Sequence, residues 1–516
     1  MSNEVVPTKP ARNWLWQPNL IVFISSGCIM ILELVAGRMI APHVGSSLYT
    51  WTSIIGVVLA GIMVGNYLGG RFADRWASLR FLGGVYLLAA LTSLVALWVD
   101  RLGRVTPNDW SILVEIVAIT AAMFFVPCTI LGMISPIVAK LAVSDLAKTG
   151  STVGKIYAAG ALGSIVGTFA TGFVLISWFG TYTIIWGVAL VLAALGVMFL
   201  LGARWQAALL ALALVGGVAW LATDQGWRTS PCVRETNYYC IKTYEENQAD
   251  EPVRLLVLDH LVHSYVSLTN PKALVYPYEK IYAEMAEYRT RAKNAPDVLM
   301  IGGGGYTFAR YMQATYPHTE MHVVEIDPGV TQFAYDELAL PRAMKIVTSN
   351  EDARTFFARP PTAGRRYDLI LGDAFNHFSV PYHLTTKEFN ERVRAWLADD
   401  GLYVINIIDG PYGEFVRAYD HTLRQTFKHV YIAEGNRAWR EASRSMFVLI
   451  ATDQPLDMAL VAACDGGDGD ALTARTLSDA AELERLQTEA PLITLTDQYV
   501  PVDQMLASVF EDIKPR

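Results

Sequence analysis

The sequence predicts two regions of different kinds, an α-helical membrane domain and then an α/β Rossmann-like domain with a small N-terminal β-domain. Long apolar runs with few charges fill the chain up to about residue 222. Short alternating runs follow, and after residue 280 strand-like runs alternate with helical stretches. The expected organisation is an N-terminal tail at 1–17, a transmembrane domain at 18–222, a β-domain at 232–280 and a Rossmann-like domain at 281–516.

Composition and charge narrow the functional classes. The 516 residues allow about two or three domains, and 53% of them are hydrophobic, mostly in the first half. A formal net charge of -8 argues against nucleic acid as a partner. The five cysteines show no zinc spacing, so no metal site is expected. The first apolar run is too long for a cleavable signal peptide and leads into further runs.

A helix needs about 20 apolar residues to cross a bilayer. The fourth such run is over-long and contains Pro127 and Pro136, so a kink or a division is expected there. Glycines three and four apart in "GIMVGNYLGG" and "AAGALGSIVGTFATG" favour close helix packing over a substrate pathway. About seven spans are predicted, at 18–41, 52–70, 80–99, 111–139, 154–178, 181–201 and 205–222.

Loop charges predict the orientation of these spans, because basic loops stay in the cytoplasm. They place the N-terminus in the cytoplasm, and an odd number of spans then places the second half outside. Cys232 and Cys240, eight residues apart, could close a disulfide in an oxidising compartment, although two unpaired thiols fit equally well. The basic residues lie after the second, fourth and sixth spans: Arg71, Arg75, Arg80, Lys140, Lys148, Lys155 and Arg204.

Polar residues follow four successive strand-like runs in the second half. Ligands of parallel α/β sheets bind at the carboxyl ends of the strands, near the switch point of the strand order. The set in sequence order is Gly302, Gly303, Gly304 and Gly305, then Glu325 and Asp327, then Asp352, then Asp373.

Each member of this set has a chemical interpretation. The glycines would let a ligand approach the backbone and the free N–H groups at the start of a helix. Glu325 stands where nucleoside sites use an acid to bind ribose hydroxyls, and Asp352 could accept a hydrogen bond from an adenine amino group. Asp373 would face the reacting end of the ligand and could take a proton from an amine. A helix N-cap is the alternative for any single acid, but the ordered set favours a ligand site.

This set resembles the spermidine synthases, the aminopropyltransferases, across roughly residues 232–450. The motifs are "LDHLVHSY", "VLMIGGGG", "VVEID", "YDLILGDAF" and "LTTKEF". With a multi-helix segment in front, the chain resembles the membrane-fused spermidine synthase-like proteins of bacteria, which have a methyltransferase-type Rossmann-like domain. The resemblance implies S-adenosylmethionine, or its decarboxylated form, as the donor substrate. Glu325 would then bind ribose, Asp352 adenine and Asp373 the attacking amine, with Tyr278 lining the amine channel.

The departures from the family pattern concern the second substrate. Gly305 stands where the family has an aspartate, Asn376 where it has a second aspartate, and His263 where it has a glutamine. Nucleoside binding is expected to persist, while the acceptor is left open. His263, His377 and His383 are candidate alternative bases, although a single histidine is more often structural.

The leading hypothesis is a membrane-bound transferase that moves an aminopropyl group to an amine and releases methylthioadenosine. One alternative is an S-adenosylmethionine lyase or methyltransferase using the same pocket; another is a nucleoside or polyamine sensor or transporter without turnover. Expected partners are a lipid bilayer, a nucleoside and a polyamine, and a homo-oligomer is left open. The expected location is the inner membrane, multi-pass. Loop charges and the cysteine pair favour an exterior soluble domain, whereas a cytosolic donor favours the cytoplasm.

Overall fold

The computed structural model divides the chain into two compact units. One takes in most of the chain before Cys232, and the other includes all of it from Cys232 to Arg516. The domain boundaries given above stay a prediction. The structure describes residues 17–101, 110, 112–143, 146–201, 216–217, 229–248, 251–361, 364–375 and 380–511.

The helical unit has, among the described residues, six helical stretches long and apolar enough to cross a membrane. They correspond to the first six predicted spans, and the seventh, 205–222, lies outside the described residues except for 216–217. The elements are α1 (Pro18–Val44), α2 (Leu48–Trp76), α3 (Leu79–Arg101), α4 (Ile112–Thr120), α5 (Val126–Gly132), α6 (Ile134–Ala142), α7 (Thr149–Ala170), α8 (Ile176–Trp178) and α9 (Thr181–Leu201).

The fourth stretch is divided, as its two prolines predicted. A π-helical turn at Ala121–Phe125 separates α4 from α5 directly before Pro127, and Met133 separates α5 from α6 shortly before Pro136. Proline lacks the N–H that would close the preceding helical turn, so the backbone changes its hydrogen-bond spacing there. A second π-helical turn, Thr171–Leu175, separates α7 from α8.

The spaced glycines lie where helices touch. A Cβ atom on Gly69 of α2 would lie 2.6 Å from the Cα of Met133, and one on Gly167 of α7 would lie 2.6 Å from the carbonyl oxygen of Gly27 in α1. Both distances are shorter than real Cβ contacts, so only glycine permits these approaches. The prediction that the glycine spacing serves helix packing is confirmed at these positions.

The second unit begins with a four-stranded antiparallel sheet whose strands pair in chain order. A disulfide joins Cys232 to Cys240 and closes the residues between them into a hairpin. The strands are β1 (Arg234–Glu235), β2 (Cys240–Gln248), β3 (Glu251–Leu258) and β4 (Leu261–Ser267).

A seven-stranded mixed sheet follows, with the order β10-β11-β9-β8-β5-β6-β7. Strands β5 to β9 are parallel, and β11 runs antiparallel between β9 and β10. The strands are β5 (Val298–Ile301), β6 (Met321–Val324), β7 (Ile346–Ser349), β8 (Tyr367–Gly372), β9 (Leu397–Asp409), β10 (His429–Glu434) and β11 (Ser445–Thr452).

Helices connect these strands, as expected for a doubly wound sheet. The chain builds β5, β6 and β7 in one direction and then returns to place β8 on the other side of β5, so the switch point lies between β5 and β8. The helices are α10 (Pro277–Ala292), α11 (Thr307–Thr315), α12 (Pro328–Glu337), α13 (Ala353–Ala358), α14 (Lys387–Trp396), α15 (Glu414–Arg424), α16 (Met458–Ala463), α17 (Leu472–Thr476), α18 (Ala480–Thr488), α19 (Val502–Met505) and α20 (Ala507–Glu511).

The core of this unit forms around the central strands. Every residue of β5 and of β8 is buried, which explains why "VLMI" and "YDLILG" are nearly continuous apolar runs. Burying a side chain of this size contributes roughly 1.5–3 kcal/mol. The rigid centre of the sheet therefore fixes the positions of the residues that follow β5 and β8.

Candidate active site

The glycine turn after β5 approaches the end of β8 closely. Gly302 has a φ of 92° and Gly304 a φ of 47°, which are left-handed conformations that favour glycine. A Cβ on Gly302 would overlap the carbonyl oxygen of Asp373. The turn and Asp373 therefore meet at the switch point, where the sequence placed them.

The N–H groups of this turn are occupied by protein side chains. Gly303 and Gly304 donate to Oε2 of Glu325 at 2.7 and 3.3 Å, and Gly305 donates to Oγ of Ser264 at 2.9 Å. The expectation that free N–H groups await a ligand is therefore wrong for these three residues. A phosphate here would face the Glu325 carboxylate, so the turn suits an uncharged ribose better than a phosphate.

Glu325 is buried beneath the turn, and its other oxygen, Oε1, accepts the N–H of Asp327 at 2.9 Å. Burial raises the pKa of Glu325, while the backbone N–H groups act in the opposite direction. Glu325 thus ties the ends of β5 and β6 together. Its predicted contact with ribose stays a prediction.

Asp327 and Asp352 both act as helix N-caps. Oδ1 of Asp327 accepts the N–H of Gly329 at 2.8 Å at the start of α12, and Oδ1 of Asp352 accepts the N–H of Thr355 at 3.1 Å at the start of α13. The second oxygen of Asp352 pairs with Nε2 of His383 at 3.0 Å. A carboxylate oxygen has two lone pairs, so these caps are compatible with the predicted ligand roles, which stay predictions.

Asp373 directly follows β8 and accepts hydrogen bonds from two side chains. Its Oδ2 accepts the hydroxyl of Tyr278 at 2.9 Å, and its Oδ1 accepts Nδ2 of Asn406 at 3.1 Å. Burial raises the pKa of Asp373 to about 6, although both hydrogen bonds lower it. A carboxylate with such a pKa can accept a proton near neutral pH. Tyr278 thus lies beside Asp373, as its predicted place in the amine channel requires.

Two further polar residues escaped the sequence analysis, one in this hydrogen-bond network and one whose pKa is raised by the charge of Asp373. Asn406 lies buried in β9, and its Oδ1 has no hydrogen-bond partner within the described parts of the chain. Glu279 is also buried, and burial, followed by the charge of Asp373, raises its pKa to about 8. The signal for Asn406 was a polar residue inside the apolar run "GLYVINII". Glu279 resembled an ordinary acid in the first turn of a helix.

The absence of an aspartate at position 305 follows from packing. A Cβ on Gly305 would lie 2.7 Å from Cβ of Ser264 and 2.7 Å from Cγ2 of Val266, both on β4. Strand β4 therefore occupies the volume that a side chain at 305 would need. Asn376, predicted to line the substrate site, and His377 lie outside the described residues.

His263 lies on β4, the strand that packs against Gly305, and aromatic rings lie close to it. Burial lowers the pKa of His263 to about 4, so its imidazole is neutral at physiological pH, and its ring centroid lies 6.4 Å from that of Tyr239. The rings of Tyr276 and Tyr278 lie 5.5 Å apart. Such rings attract cations through their faces, a property suited to an ammonium group.

No protein-family model matches the chain. It is similar to a polyamine aminopropyltransferase of Vibrio vulnificus, with 28% identity over 192 residues that cover 37% of this chain and 60% of that protein. A polyamine aminopropyltransferase of Corynebacterium efficiens is 26% identical over 432 residues, covering 78% of this chain and 79% of that one. A solved structure of a probable spermidine synthase from Corynebacterium glutamicum has 22% identity and a TM-score of 0.45, covering 52% of this chain and 97% of that one.

The mixed sheet, with acids at its carboxyl edge, is that of a doubly wound α/β domain. The match to the Corynebacterium efficiens protein is longer than the chain after Cys232, so it extends into the helical region. The chain carries a spermidine synthase-like domain together with a helical region, whose described residues include six helical stretches that could cross a membrane.

Proposed function

We propose that the second unit, which we call the soluble unit, is an aminopropyltransferase-like enzyme that transfers an alkyl group from a sulfonium nucleoside to an amine. The observation that carries this proposal is the position of Asp373 at the switch point, hydrogen-bonded by Tyr278 and Asn406 and touching the glycine turn. The relatives named polyamine aminopropyltransferase support the same class of reaction.

In this reaction Asp373 acts as the general base. Its carboxylate accepts a proton from the ammonium group of the acceptor, and the freed nitrogen lone pair attacks the carbon next to the sulfonium. The new C–N bond forms as the C–S bond breaks, and the sulfur keeps the bonding pair and leaves as neutral methylthioadenosine. Because the sulfonium is already a good leaving group, positioning by the protein supplies much of the acceleration.

The donor and the acceptor would contact different residues. Glu325 and Asp352 would hold ribose and adenine, with the N–H groups of the turn already satisfied by Glu325. On the acceptor side, Oδ1 of Asn406 has no partner among the described residues and offers an acceptor to a second N–H of the amine. Asn376 stands where the family has its second aspartate, so we propose an acceptor with fewer positive charges than a long polyamine.

The glycine at 305 favours a second candidate reaction. The family's aspartate at this position helps to hold the amine of an aminopropyl donor, and β4 excludes any side chain at Gly305. Intact S-adenosylmethionine could then serve as the donor, either for methyl transfer or for intramolecular cleavage.

A substrate panel separates these reactions. The purified full-length protein is incubated with S-adenosylmethionine or its decarboxylated form, with and without putrescine and smaller amines. Methylthioadenosine formed only from the decarboxylated donor and an amine supports aminopropyl transfer. Its release from intact S-adenosylmethionine without an acceptor supports a lyase, and S-adenosylhomocysteine supports methyl transfer. Binding without any product contradicts both and indicates a sensor.

We further propose that the soluble unit faces an oxidising compartment outside the cytoplasm. The Cys232–Cys240 disulfide supports this placement, and so do the basic loops when they are taken together with the predicted seventh span at 205–222. In intact cells treated with a reductant, an impermeant thiol reagent is expected to label the native chain more than a Cys232→Ser/Cys240→Ser variant. Equal labelling of the two until the cells are permeabilised would contradict the placement.

A further inference from the structure

The segment 232–240 forms a hairpin closed by a disulfide, which we call the disulfide hairpin. It packs against α12, the helix that follows the predicted ribose-binding acids. Arg234 pairs with Asp336 at 3.0 Å, and its guanidinium lies 5.3 Å from the ring centre of Phe333. A Cβ on Gly329 would overlap the methyl group of Thr236, so the hairpin lies directly on the first turn of α12.

Thr236 connects the tip of the hairpin to an acid of the donor site. Its hydroxyl donates to Oδ2 of Asp327 and accepts the N–H groups of Tyr238 and Tyr239 at 3.1 and 2.9 Å. Asp327 in turn donates its N–H to Glu325. The tip is thus fixed by a hydrogen bond to Asp327, one of the carboxylates that the sequence assigns to the nucleoside.

The two tyrosines at the tip differ in exposure. Tyr239 packs beside His263, whereas the side chain of Tyr238 is 46% exposed. Partial burial raises the pKa of Tyr238, and the nearby charges of Asp327, Asp352 and Glu325 raise it further. The half-exposed Tyr238, whose N–H donates to the Thr236 that binds Asp327, offers a ring for stacking and a hydroxyl for hydrogen bonding.

We propose that the disulfide hairpin forms one wall of the donor site and that Tyr238 contacts the bound nucleoside directly. This inference rests on the proposed function, because it needs a nucleoside at the Glu325–Asp327 edge. The disulfide holds the tip in place by tethering both ends of a hairpin whose first strand, β1, has only two residues. The hairpin therefore makes affinity for the nucleoside depend on the oxidation state of Cys232 and Cys240.

The test measures the Kd of methylthioadenosine for the full-length protein by calorimetry, so it does not depend on turnover. Tyr238→Ala is expected to weaken binding about tenfold, because it removes the aromatic contact. Tyr238→Phe keeps the ring and removes only the hydroxyl, so its Kd is expected to lie between those of the wild-type protein and Tyr238→Ala. Tyr244→Ala is the matched control, since Tyr244 is a more exposed tyrosine on β2 and is expected to leave Kd unchanged.

A second arm tests the disulfide. A dithiol reductant transfers two electrons and two protons to the Cys232–Cys240 bond, giving two thiols while the reductant becomes a disulfide. Reduction, or the Cys232→Ser/Cys240→Ser variant, is expected to weaken binding several-fold, whereas Cys464→Ala, which removes a buried free thiol, is expected to have no effect. In the double variant, the reductant should change nothing further.

The outcomes are distinguishable. If the wild-type protein binds methylthioadenosine and Tyr238→Ala binds equally well, Tyr238 is not a contact and the inference is overturned while the proposed function stands. If reduction leaves Kd unchanged, the redox dependence is wrong. If the wild-type protein binds neither methylthioadenosine nor S-adenosylmethionine, the proposed function falls, and this inference falls with it.

Discussion

The donor side and the acceptor side of the site are built in opposite ways. On the donor side, Glu325 accepts the N–H groups of Gly303, Gly304 and Asp327, and Ser264 accepts that of Gly305. Burial raises the pKa of carboxyl groups on both sides, but on the acceptor side Asn406 also keeps a buried oxygen without a partner in the described chain. A network whose hydrogen bonds are all made holds the site in one shape. A buried polar atom without a partner can still bind a ligand or a proton. The acceptor side is therefore where chemistry and specificity are expected.

The largest effect is expected from Asp373→Asn. The amide cannot accept the proton of the amine, so kcat should fall by about 10²–10⁴-fold. The Kd of methylthioadenosine should stay the same, because the donor side is untouched. Asp399→Asn, an exposed acid after α14, serves as the control. Turnover that survives in Asp373→Asn would show that another group is the base.

Glu325→Gln is expected to act on the donor side alone. A glutamine can accept the N–H groups of the turn with only one oxygen, so the link between Gly303 and Asp327 is broken. Methylthioadenosine binding should weaken by about tenfold or more, the loss of a charged hydrogen-bond acceptor. A larger fall in kcat than in affinity would contradict the division between the two sides.

Gly305→Ala tests whether β4 excludes side chains from the turn. The added methyl group would press on Ser264 and Val266, so the protein should lose about 1–3 kcal/mol of unfolding free energy. The measurement is the thermal unfolding midpoint in detergent, with Gly84→Ala as the control, because that glycine has open space around it and should not lose stability. Greater stability in Gly305→Ala would show that β4 does not occupy this volume.

The smallest expected effect is a shift in pH dependence. Asp373 must be deprotonated to act as a base, so kcat/KM should rise with pH around a midpoint near 6. The Asn406 amide lowers this pKa, so Asn406→Ala should move the midpoint upward. A midpoint that stays in place, or moves downward, would contradict the assigned hydrogen bond.

The stability of the folded protein should fall as the pH rises, whereas kcat/KM should rise. The folded-state pKa of Glu279, about 8, lies above its ordinary value, so the folded protein binds the extra proton. This contribution is complete below about pH 4 and is lost as the pH rises towards 8. Glu279→Gln should flatten the dependence of the unfolding midpoint on pH between 5 and 8. An unchanged dependence would show that Glu279 is not the group responsible.

Much of this arrangement could be predicted from the sequence. Strand runs and the acids after them place Glu325, Asp352 and Asp373 at one edge, because parallel strands share a direction. Asn406 and Glu279 could not be assigned, since their roles come from contacts between β9, α10 and the end of β8 that no local pattern encodes. The occupied turn was missed for the same reason: Glu325 reaches back across 22 residues to the glycine N–H groups.

Strand β11 has a consequence for the order of assembly. It inserts between β9 and β10, and its Val448 lies opposite Asn406. A chain emerging from the ribosome can pair β5 to β9 and close the glycine turn, but β9 remains an unprotected edge until β11 arrives. Both halves of the site, from Tyr278 to Asn406, thus leave the ribosome before β11, and Asn406 stays on an open sheet edge until Val448 pairs opposite it.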